Sequence, residues 1–106
     1  MSQLQISPEE LKEKLDKGEQ PFLLDVRETF EAEMASIGGQ LIPMSLIPLK
    51  FNELDPEKEI VVYCHSGSRS MRVVHFLLNK GFKNVRNLDG GIDAWSEIVD
   101  PSVPRY

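Results

Sequence analysis

The chain reads as an α/β fold, a mostly parallel sheet with helices on both faces. Short apolar runs and helical stretches alternate along the sequence, and glycines and prolines punctuate them. The clearest runs, Phe22-Leu23-Leu24 and Ile60-Val61-Val62-Tyr63, are apolar at every position, with no polar residue left over for a solvent face. Strands of that kind belong to parallel sheets covered on both sides. The sequence has no internal repeat, low-complexity tract or linker, so its 106 residues are expected to form one domain spanning 1–106.

Each element has its own local signal. Ser7-Pro8-Glu9-Glu10 begins a helix, with a serine cap, proline at the first helical position and glutamate three residues after the cap. Leu11 and Leu15 give that helix an apolar stripe, and Gly18 ends it. Pro21 to Val26 forms a buried strand, Thr29 to Met34 a helical piece, and Gly38-Gly39 a break. Gln40 to Pro43 is a short strand, demoted to a sheet edge by its proline, which also discourages pairing with a second copy near Ile42. Pro48 to Leu54 is a further short helix, closed by the turn signal Asp55-Pro56. Glu59 to Tyr63 is a strand and Arg69 to Asn79 a helix that buries Val74, Leu77 and Leu78 and stops at Gly81. Asn84 to Leu88 is the last strand, and Gly90-Gly91 opens a final helix carrying Ile92, Trp95 and Ile98.

The only cysteine, Cys64, stands where a buried strand ends and the loop His65-Ser66-Gly67-Ser68-Arg69-Ser70 begins. Gly67 admits backbone angles closed to other residues. Successive loop N–H groups can then form an anion-binding nest around the sulfur, and the following helix adds positive charge from its N-terminus. Such surroundings favour the thiolate, which is the reactive form. In parallel sheets ligands bind beyond the carboxyl ends of the strands, where Cys64 lies. Cys64 is therefore expected to be a nucleophile at the mouth of the sheet rather than a small core residue. Ser70 reads as a first-turn helix residue bonding the loop.

Bulk properties narrow the function classes. A hydrophobic content of 41% and a charged content of 27% are ordinary for a soluble globular protein. The net charge of −5 speaks against nucleic acid as a partner. The charge is unevenly spread: thirteen of seventeen acidic residues precede Cys64, whereas Arg69, Arg72, Lys80, Lys83 and Arg86 lie between Cys64 and Leu88 with no acid among them. A positive field near the loop would draw small anions or an acidic partner segment. One cysteine makes no internal disulfide, and residues Met1 to Ile6 show no basic stretch leading into an apolar one. No apolar run approaches a membrane span, so the expected location is cytoplasmic. His75 reads as a surface or boundary histidine and Trp95 as core packing. There is no Gly-x-Ser-x-Gly elbow, phosphate-binding Gly-Lys-Ser/Thr or metal-ligand spacing.

Three segments, in order and covering nearly the whole chain, resemble a single-domain rhodanese. They are Leu24-Asp25-Val26-Arg27-Glu28, Val61 to Ser70 around Cys64, and Leu88-Asp89-Gly90-Gly91-Ile92-Asp93-Ala94-Trp95. The resemblance implies a sulfurtransferase that needs no cofactor. It would take sulfane sulfur from a small anionic donor such as thiosulfate, hold it as a persulfide, and pass it to cyanide, a thiol or a sulfur-carrier protein. Carried over by position, Cys64 holds the persulfide and His65, Ser66, Gly67, Ser68 and Arg69 form its cradle. Arg69 contacts the anionic donor or braces the loop. Asp25 and Arg27 support the loop or form a salt bridge beneath it. His65 contacts donor or acceptor, or points to solvent and tunes specificity.

Two departures refine the resemblance. A Gly-His-Ile segment common before the third strand is replaced by Ala35 to Pro43, without the histidine. That variant, and the tail Val99 to Tyr106, look like the rhodanese domains fused to sulfur-carrier adenylyltransferases. Two rival readings stand beside sulfur transfer. One is an arsenate reductase or phosphatase on the same scaffold. Related dual-specificity phosphatases place the arginine six positions after the cysteine, however, and here Arg69 follows Cys64 by five, a narrower cradle suited to one sulfur atom. The other is a docking module for a sulfur-carrier or redox partner, in which turnover is incidental.

Overall fold

A computed structural model describes residues 4–106; Met1 to Gln3, the start of the stretch read above for a leader, lie outside the described residues. The apolar runs become the centre of a five-stranded sheet, with β2 (Phe22–Asp25), β4 (Ile60–Tyr63) and β5 (Val85–Leu88) side by side. Two-residue strands flank them, β1 (Gln5–Ile6) beside β5 and β3 (Gln40–Leu41) beside β2, in the order β1-β5-β4-β2-β3. All four pairings are parallel, so every connection must cross over. The crossovers carry α1 (Pro8–Asp16), α2 (Thr29–Met34), α3 (Ile47–Lys50) and α4 (Ser68–Asn79), and α5 (Gly91–Ile98) follows the last strand. The carboxyl ends of β2, β4 and β5 consequently share one rim.

Side-chain alternation along β4 divides the core into two layers. Ile60 and Val62, then Cys64, pack with Leu24, Ile42, Ile47 of α3 and Val73, Val74 and Leu77 of α4. Val61 and Tyr63 face the other way, onto Leu11 of α1 and Ile92 and Trp95 of α5. Each fully buried aliphatic side chain contributes about 1.5–3 kcal/mol. The capping box of α1 forms as the sequence requires: the Ser7 hydroxyl accepts from the Glu10 N–H at 3.1 Å, and the Glu10 carboxylate accepts from the Ser7 N–H at 3.1 Å.

Three features differ from the sequence reading. Strand β1 was not expected, because two residues carry no periodicity; its place is fixed by pairing with Asn87 and Leu88. The segment expected as a helix over Pro48 to Leu54 starts earlier and is composite. A 3₁₀ turn at Met44–Leu46 leads into α3, where Pro48 sits harmlessly in the first turn, and a second 3₁₀ turn spans Phe51–Glu53. Leu15, read as part of the apolar stripe of α1, is 38% exposed, and Ile98 of α5 is 49% exposed. Among the described residues no helix is long and apolar enough to cross a membrane.

Candidate active site

Strand β4 stops at Tyr63, and Cys64 follows it into a three-residue bend before α4. The residue is only 1% exposed. Its sulfur therefore lies at the base of the loop rather than at an open mouth. Gly67 takes φ 108°, the left-handed conformation that the sequence reserved for it, and this turns its N–H back onto Cys64 Sγ at 3.1 Å. The Ser70 N–H also donates to Sγ, at 3.4 Å, and the Ser70 hydroxyl reaches it at 3.2 Å. Amides of a helix's first turn have no partner within the helix, and here they point at sulfur. Behind them lies the positive end of the dipole of a twelve-residue helix.

Two further elements fix the loop from below. Asn87 of β5 is buried; its carboxamide oxygen accepts from the Ser70 hydroxyl, and its Nδ2 donates to the Gly67 carbonyl at 3.2 Å and to Gln5 Oε1 at 3.0 Å. The first amides of α5 close the other side, with Ile92 N–H donating to the Cys64 carbonyl and Asp93 N–H to the His65 carbonyl, each at 3.0 Å. That approach needs Gly91: at φ 66°, a Cβ there would lie 2.6 Å from the Cys64 carbonyl oxygen and against that of His65.

A chain of charged groups runs from β2 to α4. Asp25 and Arg27 form a fully buried two-pronged pair, Nε to Oδ1 at 2.9 Å and Nη2 to Oδ2 at 2.8 Å. Arg27 also donates to the carbonyls of Glu31 and Ala35. Burial opposes its charge, but hydrogen bonds with Asp25 and Tyr106 outweigh that and hold its pKa above the usual arginine value. The pair is thus a salt bridge beneath the site, one of the two roles the sequence allowed. Arg69 meets Glu31 of α2 with both terminal nitrogens, at 2.7 and 2.8 Å. Those bonds, helped by the Glu28 N–H and Tyr106, overcome burial and hold the Glu31 carboxyl at about 2. Arg69 therefore braces the start of α4 against α2.

The remaining candidates lie around this centre. His65 is half-buried, its ring stacked on Tyr106 with centroids 4.3 Å apart. Ser66 and Ser68 are exposed. Arg72, a turn beyond Arg69, lines a small cleft of about 130 Å³ with Met44, Ile47, Pro48, Val73 and Phe76. His75 is exposed and Trp95 is buried, as read from the sequence. Sequence reasoning missed Asn87, Glu31 and Tyr106. Asn87 shares the strand Val85-Arg86-Asn87-Leu88 with another polar residue, so nothing local marked it, and nothing local distinguished Glu31 from other helix acids. Among the described residues no group of three or more His, Cys, Asp or Glu could hold a metal ion.

Comparison with known proteins matches residues 7–98 to the model of the rhodanese-like domain. A putative sulfurtransferase of Bacillus subtilis, YtwF, is 43% identical over 98 residues, which cover 92% of this chain and 94% of that protein. A probable adenylyltransferase/sulfurtransferase of Mycobacterium tuberculosis, MoeZ, is 36% identical over 104 residues, covering 95% of this chain. The chain spans only 26% of MoeZ's length, and 30% of that of a relative from Arabidopsis thaliana. The crystal structure of a rhodanese-like domain protein from Staphylococcus aureus superposes with a TM-score of 0.82 at 31% identity, covering 96% of this chain and 97% of that one.

Proposed function

The chain belongs to the rhodanese-like domain family, and from that premise we propose that it moves sulfane sulfur from a small anionic donor such as thiosulfate to a nucleophilic acceptor through a persulfide on Cys64. The observation that carries this reading is the set of three donors, Gly67 N–H, Ser70 N–H and Ser70 Oγ, converging on one buried sulfur. Sulfur transfer in general is what the similarity to proteins named sulfurtransferases supports.

In the first step the Cys64 thiolate attacks the sulfane sulfur of thiosulfate. A Cys–S bond forms, the bond to the sulfonate breaks, and sulfite leaves with its electron pair. In the second step cyanide or an acceptor thiolate attacks the outer sulfur. The Cys–S bond breaks, thiolate returns to Cys64, and thiocyanate or an acceptor persulfide is released. No external oxidant or reductant is consumed, and nucleophilic catalysis divides the transfer into two displacements. The N–H groups and the α4 dipole stabilise the anionic sulfur in both resting and loaded states. Gly67 and Ser70 act directly on that sulfur. His65, Ser66 and Ser68 line the approach, Arg69 shapes the cradle through Glu31, and Asp25 with Arg27 supports it from beneath. A protein acceptor, such as a thiol-bearing or sulfur-carrier protein, would meet the exposed side of this loop. A lone cysteine with no structural disulfide suits a reducing compartment such as the cytoplasm.

Intact-protein mass spectrometry after thiosulfate treatment tests the reading. The expected result is a gain of one sulfur, ~32 Da, confined to Cys64, reversed by a reducing thiol and absent from Cys64→Ser. A wild-type protein that gains no sulfur from thiosulfate or any other sulfane donor would overturn it.

A further inference from the structure

The tail returns to the site. We propose that Tyr106 is a positioning residue for the mouth of the cradle: its ring fixes the His65 imidazole while its hydroxyl holds the Glu31 carboxylate that anchors Arg69. This deepens the sulfur-transfer reading and rests on it.

Two observations meet in one side chain. The Tyr106 ring lies nearly parallel to that of His65, at 24° with centroids 4.3 Å apart. Its hydroxyl donates to Glu31 Oε2 at 2.8 Å and accepts from Arg27 Nη1 at 3.0 Å. Glu31 Oε2 is the same oxygen that takes Arg69 Nη2 at 2.8 Å. The buried Asp25–Arg27 pair is thereby linked through Tyr106 and Glu31 to the arginine of the cradle.

The neighbouring residue secures the arrangement. Arg105 pairs with both oxygens of Asp93, at 2.9 and 3.0 Å. Asp93 in turn donates its N–H to the His65 carbonyl and sets Oδ1 3.9 Å from His65 Nε2. His65 is thus held by its carbonyl and its ring face, with the Asp93 carboxylate 3.9 Å from its ring edge. Val103 packs with the α5 layer, which ties the tail to the body of the fold. Arginine and histidine side chains lose rotamer freedom when they are ordered. The Tyr106 contacts impose that order before a donor or acceptor arrives, so a persulfide on Cys64 would meet a mouth of fixed shape.

Tyr106→Ala and Tyr106→Phe separate the ring from the hydroxyl in the full chain. NMR of the His65 ring protons reads the stack directly: the upfield ring-current shift should persist in Tyr106→Phe and vanish in Tyr106→Ala. In thiosulfate-to-cyanide transfer, kcat/KM should fall about tenfold in Tyr106→Ala and recover in part in Tyr106→Phe. The partial recovery reports the share carried by the ring. A Tyr106→Ala protein that folds, loads Cys64 and keeps wild-type kcat and KM would overturn the proposal, as would an unchanged His65 shift in that variant. If the wild-type protein never takes up sulfur, the functional reading fails instead, and the NMR arm alone decides whether the clamp exists.

Discussion

At the scale of single residues, Ser70 is the pivot of the cradle because its hydroxyl has one hydrogen and two acceptors. Both Cys64 Sγ and Asn87 Oδ1 lie within its reach. When sulfur bears a proton, S–H can donate to Oγ while Oγ–H serves Asn87; when sulfur is anionic, Oγ–H can turn to it. The hydroxyl can thus follow the charge on sulfur, exchanging its bond to Asn87 for one to the anion. Ser70→Ala should slow thiosulfate-to-cyanide transfer at least about tenfold, consistent with losing one donor to a developing anion. It should also slow alkylation of Cys64 by iodoacetamide at neutral pH. The buried Asn87 oxygen would lose its partner, at a cost of about 1–3 kcal/mol in urea unfolding. Transfer and alkylation rates equal to wild type would remove Ser70 from the chemistry. Cys64, Gly67 and Ser70 were legible because strand end, glycine and helix start follow one another in sequence. Asn87 was not, since what gives it meaning is a neighbour seventeen residues away.

At the scale of elements, the loop is held between two helix N-termini of different purpose. The first amides of α4 serve the sulfur, whereas those of α5 serve the carbonyls of Cys64 and His65. Gly91 is what lets α5 come that close. Gly91→Ala would force a non-glycine residue to φ 66° and drive its methyl group into both carbonyl oxygens. The strain alone costs about 1–3 kcal/mol, and relief of the clash must move either α5 or the loop. Urea unfolding should show at least that loss, and sulfur loading of Cys64 should slow in the surviving folded fraction; an unchanged loading rate would mean that the loop keeps its shape without α5. The elements themselves were readable wherever the chain gave a cap, a period or a stop, as with Ser7 for α1, Gly81 after α4 and the uniform runs of β2 and β4. Strand β1 and the broken helix around Pro48 escaped because their conformations are decided by neighbours in space. The paired glycines at the start of α5 marked a helix start, but only the fold showed that the second of them lies against the cysteine's own carbonyl.

At the scale of the whole molecule, one electrostatic chain joins four separate pieces: Asp25 and Arg27 at the end of β2, Glu31 in α2, Arg69 in α4 and Tyr106 in the tail. Its members span most of the sequence, so no local pattern could have announced it, although Arg69 and the Asp25–Arg27 pair were each visible alone. Its central member also gives the fold a pH dependence whose sign follows from linkage. The Glu31 carboxyl sits at about 2 in the folded protein against an ordinary 4.5, chiefly because Arg69 bonds to the ionised form. A depressed carboxyl pKa contributes stability that is fully present above the unfolded value and lost as pH falls through the folded one. For Glu31 that window runs from about 4.5 down to about 2, with a total on the order of 2–3 kcal/mol. Glu31→Gln keeps the shape and one acceptor oxygen but removes the charge. It should therefore be less stable than wild type at neutral pH, by an amount of that order. The gap should narrow as pH falls through the window, because the wild-type carboxyl then takes up the proton that the variant never needed. Urea midpoints measured for both proteins across that range would show converging curves. Parallel curves would mean that Arg69 and Glu31 contribute no net stability, and that the brace between α2 and the cradle owes its geometry to packing and to Tyr106 instead.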